Sequence, residues 1–492
     1  MTKDNHLSRL LALLVLTFII GCLFYYLPDH IGAVKLKRVD LLSDLRVEPP
    51  SIPLDSLILA DEDTVAVDSV KLQQLAVEKA GIDSIALAQR DSLYRALYAS
   101  EDADSLGLRI EDYSVGHVGL SHFFQALKNR ESLNRPVRIG FMGDSFIEGD
   151  ILVADFRAEM QREFGGSGVG FVPISSVAAP YRPTIRETSA GWKNWSILND
   201  HSQRYTLSCM LFEAEQSDAF LQMEVGSKYP ELQKGSALKF IYEENQETRL
   251  ALSCNNREDS LFVMLPPTDS LVQYAYTSPS EIHKAVLHFS QAKGLKALGV
   301  ALENDNGVVV DNFSVRGNSG LALDRLDSAR CRQLNQIRPY DMIILQYGLN
   351  VANDSVMQYG LNVANDSVMQ YGWYGKRMEA VAHHIKRCFP TADILILGVS
   401  DRSTQENGTF YTMPSVLSLL YTQRQMAKRS GLPFWNTFGA MGGYNSMVAY
   451  VEKNWASKDY THLSFGGGRE LARILKEALM KEKEFYDEAE TK

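Results

Sequence analysis

The 492-residue chain has little of what several functional classes require. Its five cysteines do not make a disulfide framework. Cys22 lies in an apolar run, Cys331 and Cys388 fall on helical stretches, and only Cys209 and Cys254, on strand-like stretches of one segment, invite pairing in an oxidising compartment. No histidine or cysteine cluster has zinc-ligand spacing and HExxH does not occur, so the sequence supplies no metal site. No Lys/Arg run stands out. With 50 basic against 60 acidic residues the net charge is −10, which argues against a nucleic-acid partner, because proteins that track phosphates carry a basic stripe. The nucleophile-elbow pattern G-x-S-x-G is also missing, which disfavours the hydrolase class built on it.

What is present begins with an uncharged run, Leu10 to Leu27, preceded by Lys3 and Arg9. Its length approaches the roughly 20 residues that span a bilayer core, and the basic flank predicts that the rest of the chain lies across the membrane. Residues 1–28 are therefore expected to be an inner-membrane anchor, or alternatively a cleaved or lipoprotein signal, with the remainder in the periplasm or secreted. Residues 29–115, rich in Asp, Ser and Leu, read as a spacer with short helices.

A βα texture starts after that. SHFFQALKNRE reads as a capped amphipathic helix, and Pro136 opens a short apolar strand that ends in Gly143-Asp144-Ser145. Leu152, Phe156, Met160 and Phe164 then mark one face of a following helix, closed by Gly165 and Gly166. Residues 178–305 alternate apolar and polar positions between turn-rich gaps, as an inserted all-β sandwich would. The βα texture resumes over 306–482, with buried strands in GVVVDNFSV, YDMIILQYG, ADILILG and LPFWNTF and helices around 322–337, 374–389 and 415–430; residues 483–492 form a charged tail. An α/β core with a parallel sheet is thus split by the insert into 116–177 and 306–482. Residues 346–357 recur unchanged at 358–369, a copy too short for a solenoid repeat and placed in a βα loop.

Ser145 falls at the carboxyl end of the first core strand, the edge where open α/β sheets bind ligands, with helix-turn N–H groups expected beside it. A nucleophilic serine needs a base. Of the ten histidines, His462 alone sits in a D-x-x-H turn, DYTH, whose Asp459 can orient the imidazole. Asp150 reads as an N-cap for the helix after Ser145. Asp401 and Arg402, after another strand, suit either a pocket wall or a loop-ordering ion pair. Trp192 and Trp195 read as loop or core residues rather than a sugar-stacking surface.

With these residues in place, the chain resembles the SGNH (GDSL-type) hydrolases. Gly143-Asp144-Ser145 matches the first block, Gly317 the second, Gly348-Leu349-Asn350 the third, and Asp459 with His462 the last. The resemblance implies a three-layer, flavodoxin-like core, with Ser145 as nucleophile, His462 as base and Asp459 as its orienter. It implies an oxyanion hole of the Ser145 and Gly317 amides and the Asn350 side chain (Asn362 being its copy in the repeat), and neither metal nor cofactor. The β-insert between the first two blocks is similar to that of two-domain bacterial peptidoglycan O-acetylesterases, implying an O-acetylated glycan as substrate. The alternatives are acyl transfer or lipid or aryl ester cleavage on the same fold, and a glycan-binding scaffold whose catalysis has decayed.

Overall fold

The computed structural model describes residues 107–255, 260–352, 371–406 and 408–491, together with two short strands near the N-terminus. The chain divides into two compact units, Met1–Leu75 and Ala76–Lys492. In the first, the described residues are His30–Ile31 and Val34–Lys35, which pair antiparallel. The run Leu10–Leu27, almost all of the expected spacer, and Asn362 lie outside the described residues. Among those described, no helix is long and apolar enough to cross a membrane.

The second unit is built on a six-stranded sheet. Its strands in chain order are β1 (Ile110–Asp112), β2 (Val137–Gly143), β3 (Val308–Ser314), β4 (Met342–Gln346), β5 (Asp393–Leu397) and β6 (Pro433–Trp435). Their spatial order is β3-β2-β4-β5-β6-β1, parallel throughout except for β1, which runs antiparallel to β6. β2, β4 and β5 are buried at every residue, as strands covered on both faces must be, and this explains why they are apolar except at Arg138, Gln346 and Asp393. The helices are α1 (Ser121–Lys128), α2 (Val153–Phe164), α3 (Ser328–Ile337), α4 (Gly372–Cys388), α5 (Pro414–Ser430) and α6 (Phe465–Thr491). Right-handed crossovers place α2 on one face and α3, α4 and α5 on the other, because the sheet grows in opposite directions from β2. α6 packs on α2 and α1, completing the first layer.

Two helix starts differ from the sequence reading. α1 has no side-chain cap of its own; the Asp393 carboxylate at the start of β5 accepts the Phe123 N–H at 2.9 Å, a long-range substitute. α2 begins only at Val153, and Asp150 is not its N-cap. Asp150 is instead fully buried between Arg157 (3.3 Å) and Arg182 (3.4 Å), and also accepts from Thr184 and Asn312. Burial pushes its carboxyl up, but the two guanidiniums outweigh that and hold it well below the usual carboxylate range.

Between β2 and β3 the chain forms two antiparallel sheets that share one apolar core. One sheet orders strands 261–265, 248–254, 284–290, 219–225 and 185–190; the other orders 272–277, 237–243, 296–303, 210–214 and 192–196. Strand 170–173 pairs with 296–303, so this sheet already begins ahead of residue 178. No disulfide joins Cys209 to Cys254: the first is buried in the core shared with the parallel sheet, the second in the sandwich core. Trp192 meets Phe289 edge-on inside the sandwich and Trp195 carries the Lys193 ammonium over its ring, so neither is bare.

A buried ion network joins insert to core. Glu303, ending the strand 296–303, accepts from Arg138 on β2 (2.8 Å), Arg338 (2.6 Å) and Lys239 (2.9 Å). Asp311 on β3 accepts from Arg338 (2.7 Å), the Tyr340 hydroxyl (2.7 Å) and the Phe171 N–H (2.9 Å). The charges of this buried seam are thereby balanced, although Arg138 Nε and Arg338 Nη1 make no hydrogen bond.

Candidate active site

The strand order is the 2-1-3-4-5 doubly wound pattern, and its direction reverses at β2, next to β4. Ser145 follows β2 and Asn350 follows β4, so both sit at the crevice that such a reversal opens. The last residues of the two strands, Gly143 and Gln346, are register partners.

Ser145 Oγ lies 3.0 Å from His462 Nε2, and His462 Nδ1 lies 2.7 Å from Asp459 Oδ2. Ser145 and a His462–Asp459 pair 317 positions further along the sequence thus form one chain of hydrogen bonds. Asp459 is fixed by its own turn: its second oxygen accepts the N–H groups of Thr461 and His462, each at 3.0 Å. Burial pushes the Asp459 carboxyl up, but the His462 ring and those two N–H groups prevail and hold it well below the ordinary range. A permanently ionised carboxylate at Nδ1 selects the tautomer in which Nε2 can take a proton from Ser145.

The turn bearing this pair is braced from two directions. Tyr460 stacks on Phe410 of the hairpin 403–412, ring centroids 3.7 Å apart, and its carbonyl accepts the Ser403 N–H at 3.0 Å. Behind it, the glycine run opening α6 permits close approach: a Cβ on Gly468 would stand 2.0 Å from the Ile151 carbonyl oxygen. Only glycine lets the first turn of α6, and His462 ahead of it, settle against the loop that follows Ser145.

That loop differs from expectation. Seven residues separate Ser145 from α2, including a single 3-10 turn, Glu148–Asp150. The amides near Ser145 therefore belong to a tight turn, in which Asp144 Oδ1 accepts the Phe146 N–H at 2.9 Å. Gly317 lies in the turn after β3 with φ +78°, where Asn318 N–H donates to the Val315 carbonyl at 3.1 Å. Gly348 has φ +128°, and a Cβ there would meet Val399 and Gln423 within 2.8 Å, so this position admits no side chain. It turns the chain so that Asn350 points back toward β2. Asn350 Nδ2 donates to Asp144 Oδ2 at 2.8 Å and to the Asn318 carbonyl at 3.1 Å. Asn350 thereby links the three strand-end turns. Burial pushes Asp144 up to about 6, while the Phe146 N–H and Asn350 act in the opposite direction.

Asp401 and Arg402 form no ion pair with each other: Asp401 is buried and accepts the Met447 N–H at 2.7 Å, capping the helix Ser446–Glu452. The sequence reading passed over Arg316 and Glu148. Arg316 immediately precedes Gly317, and its guanidinium lies 2.7 Å from the carboxylate of Glu148 in the turn after Ser145. Neither lies in a recognisable pattern; only the neighbouring strand ends mark them.

A scan against protein-family profiles finds no match, nor does a comparison with curated protein sequences. Solved structures do match. A peptidoglycan O-acetylesterase aligns over 76% of this chain and 99% of its own, with 20% identity and a TM-score of 0.59. A lipase/acylhydrolase from Enterococcus faecalis covers 36% of this chain and 76% of its own at 15% identity and a TM-score of 0.23. A family two carbohydrate esterase from Cellvibrio japonicus covers 61% and 99% at 8% identity and 0.24, and these last two alignments are too loose to support an argument. The first shows a shared fold across core and insert together. In that fold, and in the four sequence blocks, three set at strand ends of its sheet and the last just ahead of α6, the chain resembles the SGNH hydrolases.

Proposed function

We propose that the chain is a serine esterase that removes O-acetyl groups from an envelope or extracellular glycan. The observation that carries this reading is the hydrogen-bond chain from Ser145 Oγ through His462 to Asp459, placed at the open edge of the sheet. Ser145 Oγ attacks the acetyl carbonyl while its proton passes to His462 Nε2. The sugar oxygen then leaves with that proton, and water, activated by the same imidazole, releases acetate from the acyl-serine. The Ser145 and Gly317 amides and the Asn350 amide bind the oxyanion. The glycan is inferred from the insert and from the likeness in fold to a peptidoglycan O-acetylesterase. With Leu10–Leu27 as a membrane anchor, the reaction would occur on the periplasmic side.

The test is acetate release by the full chain from isolated peptidoglycan and polysaccharide fractions, with Ser145→Ala as control. The variant should lose a factor of roughly 10³ or more in turnover while keeping its fold. Equal acetate release by both proteins would remove Ser145 from the chemistry.

A further inference from the structure

The seam between insert and core is sealed by ions around Glu303 and Asp311, yet it stands open where β3 runs toward Gly317. There a cleft of about 470 Å³ is walled on one side by Ser314, Val315 and Arg316 and on the other by Asn194, Asn199 and Met210 of the insert. Glu148, three residues beyond Ser145, also lines it. The volume falls in the range of small-ligand sites.

We propose that this cleft binds an uncharged pyranose unit of the glycan, next to the unit whose ester reaches Ser145. The inference rests on the esterase reading for the identity of that neighbour, though not for the binding itself. The lining is amphipathic in the manner a sugar requires. Its base is apolar, with the buried rings of Phe171 and Phe313 5.1 Å apart, and Val177 stands exposed on the rim. Its walls carry amide and hydroxyl groups that both donate and accept, matching equatorial hydroxyls around an apolar C–H face. The only charges in the lining, Glu148 and Arg316, compensate each other at 2.7 Å. A polyanion would find no uncompensated cation here. A long acyl chain would have to desolvate the side-chain amides of Asn194 and Asn199 without replacing their hydrogen bonds. The cleft therefore favours sugar over lipid as the group beside the scissile ester.

Binding is best measured without turnover, in the full chain carrying Ser145→Ala. Tetra-N-acetylchitotetraose and xylotetraose serve as probes by calorimetric titration. At least one should bind. Adding Asn194→Ala and Asn199→Ala, both at exposed positions, should weaken that binding about tenfold, the loss of one to two hydrogen bonds, with an unchanged thermal midpoint. If neither probe binds at millimolar concentration, or the added substitutions leave affinity intact, the cleft is not a sugar site. Hydrolysis of a small acetyl ester by the chain with Ser145 intact tests the other reading separately. Sugar binding without hydrolysis sinks the esterase and spares the cleft, whereas hydrolysis without sugar binding does the reverse.

Discussion

Substituting Asn350 by Ala separates two jobs that its side chain can do. A primary amide has two N–H donors. In the resting site one points to Asp144 Oδ2 at 2.8 Å and the other to the Asn318 carbonyl at 3.1 Å. Losing the bond to a buried carboxylate should cost about 1.5–3 kcal/mol of stability. Losing an oxyanion donor should cost a factor of about 10²–10³ in kcat, or about 2.7–4 kcal/mol of transition-state energy. The first is read as a fall in thermal midpoint, the second in turnover of a small acetyl ester at temperatures where the variant is fully folded. Asn362→Ala, in the second copy of the repeat, should turn over nearly normally, and so should a chain lacking 358–369. The reasoning fails if folded Asn350→Ala stays within tenfold of the parent. It fails equally if Asn362→Ala is the dead variant, because the second copy would then supply the donor.

Three further outcomes follow from the geometry. Asp459→Asn keeps the shape of the turn but removes the charge that selects the His462 tautomer, so kcat should fall by roughly 10²–10⁴; a loss of less than tenfold in the purified variant contradicts that role. Asp144 has its pKa raised by burial from 3.8 to about 6, so its contribution to stability is fully present below about 3.8 and is lost as pH rises through about 6. Asp144→Asn should therefore gain on the parent by about 2.4 kcal/mol between pH 4 and pH 7, followed by urea midpoints, and a flat difference would exclude the assignment. Glu303→Ala leaves Arg138 and Arg338 buried without one of their anions, and should destabilise the chain by about 3–5 kcal/mol. A change under 1 kcal/mol would mean that water reaches the seam.

The sequence made the central strands legible because β2, β4 and β5 are buried on both faces and read as largely apolar runs bounded by Pro or Gly. The alternating strands of the sandwich, such as 248–254, were legible for the opposite reason: one face meets the core and the other faces water. β1 escaped notice because three residues at a sheet edge carry no period, and its range falls in what reads as spacer. Strand 170–173 is hidden among the glycines before it. Asp150 was misread because a carboxylate ahead of a helix resembles a cap, whereas its actual partner Arg182 lies across the insert boundary. Ser145, Asp459 and His462 could be singled out by local pattern, the first in a polar turn ending an apolar strand and the other two in a D-x-x-H turn ahead of an amphipathic helix. Arg316 and Glu148 could not, because their pairing depends on two strand ends brought side by side by the fold, and the cleft depends on insert and core meeting.

The ion network around Glu303 also bears on how such a protein can change over evolutionary time. An inserted module whose last strand ends in the anion for Arg138 and Arg338 of the host core cannot be swapped for another sandwich, or lost, without leaving those buried cations short of an anion. Its orientation is locked by chemistry rather than by the lengths of its connections. Variation in what the protein recognises is thereby channelled into the rim, where Asn194, Asn199 and Val177 can be exchanged at small cost in stability. The seam tolerates little substitution because its charges are buried together, whereas the exposed residues at the mouth of the cleft carry no such constraint.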